Sequence, residues 1–539
     1  MKAAWEWKAE KCRQICKDSM NPEWLLPESE LPGEGQLNVV TFPDTCGLLT
    51  SEQVKITKLT ANELVEQMHT GKLSAVEVTT AFLKRAHVGN QLVNFVTEFM
   101  VEEALDRAAE LDDYFKATGK LVGPLHGVPI SVKEHVGLKN RICHASYVAW
   151  TDHIPKEDAL LVRLLRNAGG VFIARTNQPQ SIMHMECNNI IYGETVNPYN
   201  RNLTAGGSSG GEGASIGLHC AALGIGTDIG GSIRYPAAFC GSYGLRITAL
   251  RNPYKGVFLA GGGNESIRCV IGPLANSIAD LKLFQKAVID QKPWEEETSL
   301  IPLPWKELPS FKPEQITVGI MWDDGIVRPF PPMTRALQNA KSKLESAGVK
   351  LVNWEPYEHR RGWDILRCLY FPDTANTQKA ILEEGGEPVH PLTEWAFAYG
   401  KPRSLSLAEN WELNVQREEY RADYHRTMNE HGVDFILCPP YTGAASEIGT
   451  GQYWHYTAIW NILDQPAVIF PTRLVTDPQV DKVDPSFRPR NPEEKREWKK
   501  YVPEKFANAP LALQVVGKHF QDEATLEAAE LISKIVLAD

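Results

Sequence analysis

Cysteine is scarce, at 10 of 539 residues, and no Cys-x-x-Cys pair occurs. That excludes a zinc ribbon and a disulfide-stapled scaffold, and it predicts free thiols in a reducing compartment. Positive charge is not in excess: 56 Lys and Arg stand against 67 Asp and Glu, a net charge of −11. Such a chain binds polyphosphate poorly, so nucleic acid is not an expected partner. No run of 18 apolar residues occurs, so no membrane span is expected. The first residues, Met1-Lys-Ala-Ala-Trp-Glu-Trp7, lack the apolar core of a secretory signal. The last, Val536-Leu-Ala-Asp539, form neither a prenylation nor a peroxisomal motif. A cytoplasmic protein is therefore expected, and the sequons at Asn202 and Asn264 are read as chance.

What is present is an ordinary globular balance, 43% hydrophobic and 23% charged. Residues 1–50 read as a lead-in, with helical spacing of Trp5, Ala9, Cys12 and Cys16 and then a Pro/Glu-rich connector. Thr60 and Glu63 form a capping box for a helix over 61–70. Further helices are predicted over 74–86, 101–117, 158–167, 333–347 and 520–536. Short apolar strands are predicted at 128–132, 171–174, 316–321, 349–354, 433–438, 467–470 and 511–516. Helices alternating with short buried strands imply an α/β fold. The Pro/Lys/Glu-rich stretch 477–504 reads as a surface insertion.

Glycine content is average overall, yet 12 glycines fall in the 39 positions from Gly206 to Gly244, where the mean predicts about three. A flexible linker does not fit, because Ala221 to Ile225 is apolar and Asp228 and Arg234 lie inside the cluster. A phosphate loop needs a lysine after its glycines, and none follows. Gly224, Gly226 and Gly230 are spaced one residue too far for a dinucleotide fingerprint. Gly206-x-Ser208-x-Gly210 matches a nucleophile elbow, but so does the frame one residue later. Glycines also let successive backbone N–H groups converge on one atom. Ile229, Gly230, Gly231 and Ser232 offer four such donors, suited to the oxyanion of a tetrahedral intermediate, with a serine hydroxyl at the end. Serine needs a base, and no histidine is suggestively placed. Lys133 ends the apolar segment Gly123-Pro-Leu-His-Gly-Val-Pro-Ile-Ser-Val-Lys133. Burial there would lower its pKa far enough for base catalysis. On spacing alone, a surface lysine at a strand end fits equally well.

The stretch Gly206 to Pro236 resembles the amidase signature family over its whole length, including Gly-Gly-Ser-Ser-Gly-Gly and Gly-x-Gly-x-Asp-x-Gly-x-Ser-Ile-Arg-x-Pro. Similar segments are Gly123 to Lys133, Thr176-Asn-Gln-Pro-Gln180, Tyr192 to Pro198 and Leu513-Gln-Val-Val-Gly517. Within the family, Gly325 to Pro332, Tyr456 to Ala467 and the Trp-rich N-terminus are most like the fungal acetamidases. Glu134-His135 departs from the Asp-Asn that follows the lysine in many relatives.

The resemblance implies the amidase signature fold, a large mixed β-sheet covered by helices on both faces, over residues 51–539, with a catalytic core at 123–246. It implies a Ser–Ser–Lys triad: Ser232 the nucleophile, Ser208 the bridging serine after a cis peptide, Lys133 the base. Ile229, Gly230, Gly231 and Ser232 would supply the oxyanion hole, and Asp228 and Arg234 would orient the loop. The implied reaction is hydrolysis of a small or aromatic carboxamide through an acyl-enzyme, with no metal and no organic cofactor. Met183, Trp454 and Trp460 are candidates for the substrate pocket, with core packing equally compatible for the aromatics. A homodimer, a glutaminase-type subunit of an amidotransferase and a non-catalytic binding relative stay open as alternatives.

Overall fold

The computed structural model describes residues 3–538; Met1, Lys2 and Asp539, quoted above, lie outside the described residues. Its strands are β1 (Val96–Phe99), β2 (Pro129–Lys133), β3 (Val171–Thr176), β4 (Asn188–Asn189), β5 (Gly193–Glu194), β6 (Leu223–Asp228) and β7 (Tyr243–Arg246). They continue with β8 (Val270–Ala275), β9 (Thr317–Ile320), β10 (Lys350–Asn353), β11 (Phe435–Cys438), β12 (Ala467–Val475) and β13 (Pro510–Val516). Eleven of them form one sheet in the order β1-β3-β2-β6-β8-β7-β12-β13-β11-β9-β10, and β4 pairs with β5 alone.

The sheet is mixed. β2 lies parallel between β3 and β6. From β6 through β8, β7, β12 and β13 to β11 every pairing is antiparallel. β9 and β10 then extend the far edge in parallel. In β2, β3, β6, β8 and β13 every residue is buried. Successive side chains point to opposite faces, so these strands are covered on both sides, as the expected α/β layering requires. At the β10 edge both end residues are exposed.

Several predicted boundaries hold closely. The Thr60 capping box opens helix Ala61–His69, with the Glu63 N–H on Thr60 Oγ1 at 3.3 Å. The closing helix runs Asp522–Leu537. The helix predicted over 74–86 continues to Val93 and stops at Asn94, which takes the left-handed conformation. The lead-in helix, Ala4–Asp18, buries Ala9, Cys12 and Cys16, and its Ala9 and Cys12 cluster with Val148 and Ile191. All ten cysteines are free thiols. No helix among the described residues is long and apolar enough to cross a membrane. The 477–504 insertion is less superficial than expected, because Asp481 and Glu494 are buried against Arg335 and Arg328. A buried carboxylate left without its arginine is costly, so these pairs hold the segment down.

The glycine cluster has a packing cause as well as a chemical one. Helix Gly210–Gly217 is buried at every residue. A Cβ on Gly213 would stand 2.7 Å from the Pro236 carbonyl oxygen, on helix Arg234–Phe239. The two helices can approach only because that side chain is missing. Gly213→Ala gains helix propensity but overpacks this contact. The expected net loss is about 1–3 kcal/mol of stability, read as a lower denaturation midpoint.

Candidate active site

Parallel pairing sets the first contacts. Val132 on β2 aligns with Ile225 on β6, so the strand ends carry Lys133 and Thr227 side by side. Lys133 is fully buried. Its Nζ lies 2.6 Å from Ser208 Oγ and 3.0 Å from Thr227 Oγ1. Among the described residues no carboxylate bonds to it. Burial pulls its pKa from 10.5 down to about 7, against opposing contributions from Cys269, Cys187, Asp228 and Glu212. The surface position that spacing left open is therefore not the one adopted.

Ser208 follows a cis peptide bond, Gly207–Ser208. The next residue, Ser209, donates its N–H to the Ser232 carbonyl at 3.0 Å. That bond brings the segments of Ser208 and Ser232 together. Ser208 is buried, whereas Ser232 is half-buried.

Between β6 and helix Arg234–Phe239, the loop is tied from both sides. Tyr370 OH donates to the Ile229 carbonyl at 2.7 Å, and Thr457 Oγ1 to the Gly230 carbonyl at 2.6 Å. Each bond turns the following N–H the opposite way. Of the four predicted donors, Gly231 is already engaged, its N–H on Asp228 Oδ1 at 2.8 Å. This corrects the four-donor nest: the carboxylate that shapes the turn takes one of its amides. Among the described residues, Ile229, Gly230 and Ser232 have no protein acceptor for theirs. Gly231 has φ +129°, and a Cβ there would meet Thr457 Oγ1 at 2.3 Å, so no other residue fits.

Asp228 and Arg234 are both inaccessible to solvent. Arg234 holds Asp228 through Nε at 3.0 Å and Nη2 at 2.9 Å, and also bonds the Thr457 carbonyl and Asn461 Oδ1. Burial alone would raise the Asp228 pKa; the guanidinium outweighs it and holds the carboxyl well below its usual range. Asp228 also accepts the Ile233 N–H at 3.1 Å. One carboxylate thus fixes both ends of the loop and leaves the Ile229, Gly230 and Ser232 amides unused.

A cavity of about 1200 Å³ meets this loop at Ile229, is lined further by Met183, Cys269 and Tyr370, and reaches Leu407 and Trp411; Lys133, Ser208 and Ser232 are not among its lining residues. Met183 lies on its wall. Trp460 does not: it is fully buried, edge-on to His359 and Tyr424. Trp454 is also off the cavity wall, packed on Tyr399 and against Tyr370. Both belong to apolar packing, which buries more ring surface than a pocket wall does. No group of His, Cys, Asp and Glu that could hold a metal occurs among the described residues.

Sequence reasoning missed Thr227, Tyr370, Thr457 and the contact of His135. His135 Nε2 lies 2.9 Å from Thr227 Oγ1 and its Nδ1 2.8 Å from the Phe258 carbonyl. The only signal was position. His135 is two residues beyond Lys133, and Thr227 directly precedes Asp228.

The amidase family model matches residues 77–526. An acetamidase of Aspergillus oryzae is 37% identical over 99% of each chain. The acetamidase of Emericella nidulans is 35% identical, again over 99% of each. Among solved structures, a fatty acid amide hydrolase superposes with a TM-score of 0.97 at 40% identity, over 99% of this chain and 96% of that one. Matches of this length and identity place the sequence in its family: the chain belongs to the amidases, hydrolases of amide C–N bonds.

Proposed function

We propose that this amidase cleaves its substrate through Ser232, Ser208 and Lys133, by way of an acyl-enzyme. The observation that carries the reading is the 2.6 Å contact between a buried lysine without a carboxylate partner and a serine hydroxyl. Neutral Lys133 takes the Ser208 proton while Ser208 takes that of Ser232, whose oxygen attacks the carbonyl carbon. The oxyanion meets the N–H groups of Ile229, Gly230 and Ser232, each contributing on the order of 3 kcal/mol. On collapse the proton returns along the same path to the leaving nitrogen, which departs poorly unless protonated. Water then releases the acid from Ser232. Residues 51–539 form the catalytic unit in this reading, with 1–50 as a lead-in.

The relatives point to different acyl groups: acetyl in one case, a fatty acyl chain in the other. We read the cavity that meets the loop at Ile229 as the acyl site, and it has room for a group larger than acetyl. Each further buried CH₂ adds about 0.8 kcal/mol, or roughly fourfold in kcat/KM.

Three outcomes are expected. Ser232→Ala keeps the fold and loses at least about 10⁴-fold in kcat; undiminished turnover would sink the assignment. The base works only when deprotonated, so kcat/KM should fall below pH about 7 and reach a plateau above it. A profile flat from pH 5 to 9 would remove Lys133 from that role. Hexanamide should exceed acetamide in kcat/KM by at least about tenfold, and Met183→Ala should alter that ratio. An unchanged ratio returns Met183 to a packing role.

A further inference from the structure

Lys133 as the base raises a problem of hydrogen-bond direction, and the structure contains an answer to it. A neutral lysine has two N–H donors and one lone pair. The lone pair must face Ser208 Oγ for the proton to transfer. Thr227 Oγ1 stands 3.0 Å away on the other side, and a hydroxyl can either accept from the amine or donate into its lone pair. Donation would occupy the lone pair and block the base.

His135 decides between the two. Its Nδ1 faces the Phe258 carbonyl, which can only accept, so Nδ1 carries the hydrogen. Nε2 is then an acceptor, and the only donor that the 2.9 Å contact offers it is the Thr227 hydroxyl. With that proton turned toward His135, Thr227 Oγ1 can only accept from Lys133. We propose that His135 is a positioning residue: through Thr227 it keeps the lysine lone pair free and aimed at Ser208. It rests on the reading of Lys133 as base.

The bookkeeping closes without a further reactant. The Ser208 O–H bond breaks, a third N–H bond forms at Nζ, and that proton later returns to the leaving nitrogen. Thr227 and His135 exchange no proton, and they only set the direction of the bonds. Burial keeps His135 neutral, holding its pKa well below the ordinary range, with Lys133 and Arg175 acting the same way. The titratable groups facing Lys133 are Glu212 from helix Gly210–Gly217, Asp228 at the end of β6, Cys187 and Cys269. Glu134 is turned elsewhere, accepting from the His144 and Ala145 N–H groups and from Gln178. Leu at 135 would leave the Thr227 hydroxyl free to donate to the amine. Gln, whose longer side chain carries its amide to where Nε2 stands, retains an acceptor.

The test is steady-state kinetics across pH with His135→Leu, His135→Gln, Thr227→Val and the double variant His135→Leu/Thr227→Val. His135→Leu and Thr227→Val should each lower kcat about tenfold, with KM within about twofold. Both should move the acid limb of kcat/KM to lower pH by about half a unit or more. The first supplies a donor to the neutral amine; the second removes an acceptor from the ammonium. The double variant should be no worse than the poorer single one, because one residue acts through the other. His135→Gln should recover most of the rate. Wild-type kcat and acid limb in both single variants, or losses that multiply in the double variant, would overturn the proposal. If His135→Leu does not fold, the nearly isosteric Thr227→Val decides: an unmoved acid limb overturns the proposal and a shifted one supports it. Lys133→Met separates the two levels. Retained activity there removes the base itself, whereas its loss together with unperturbed His135 and Thr227 variants removes only the positioning role.

Discussion

A lysine buried without a counter-ion is the constraint on which the rest of this site depends. β2 runs between β3 and β6, and its last residue, Lys133, has no exposed surface. An ammonium there loses its hydration, and pairing with a carboxylate would restore stability while fixing the positive charge. The protein surrounds it with hydroxyls instead, those of Ser208 and Thr227. One neighbouring source of negative charge is also muted. Glu212 accepts from the Ser131 and Thr176 hydroxyls, and burial raises its pKa to about 8. Near neutral pH it is largely protonated, so it does not hold the proton on the lysine. Burial keeps both groups uncharged, against their mutual attraction.

Arg234, in the same interior, is treated in the opposite way. Guanidinium does not shed its proton, so burial demands a carboxylate and several acceptors. Asp228, the Thr457 carbonyl and Asn461 provide them. The pair is permanent, and the structure uses permanence for geometry: Asp228 also grips the Gly231 and Ile233 amides. A cation that can lose its proton sits where protons move, and a cation that cannot sits where the backbone must stay still. That division accounts for a Lys and an Arg side by side in one buried region.

How far this could be read from sequence depended on which residues carried the signal. β2, β3, β12 and β13 were legible because most of their residues are apolar. β6 was not, because Leu-Gly-Ile-Gly-Thr-Asp has two glycines where a strand normally has side chains, and β-propensity argues against them. Those glycines are demanded by neighbours: a Cβ on Gly224 would meet Glu212 Oε2 at 2.4 Å. β1 and β7 were missed because they are four residues long, and β8 because Gly272 and Pro273 interrupt it. The family resemblance around Ser208, Ser232 and Lys133 pointed to one reaction, yet spacing left Lys133 exposed or buried with equal weight. Only the pairing of β2 with β6 resolves that, and pairing between residues nearly a hundred positions apart leaves no local trace. The engagement of the Gly231 amide by Asp228 was equally invisible, since it depends on how tightly the turn closes.

The aromatic run at 453–460 shows how a correct sense of importance can be attached to the wrong contact. Trp454 does not line the cavity; with Trp363, Trp395 and Tyr399 it forms a packed cluster against which Tyr370 rests. Tyr370 reaches the site with its hydroxyl, which holds the Ile229 carbonyl. Holding that carbonyl determines where the Gly230 N–H points, because the two belong to one planar peptide. Thr457, in the same run, does the same for the next peptide through the Gly230 carbonyl. The run therefore acts on the loop. Rings are well suited to this, since large rigid side chains in contact at many points resist the small rotations that would spoil an oxyanion site. A loop of glycines has no side chains with which to stiffen itself, so its stiffness must come from the layer behind it.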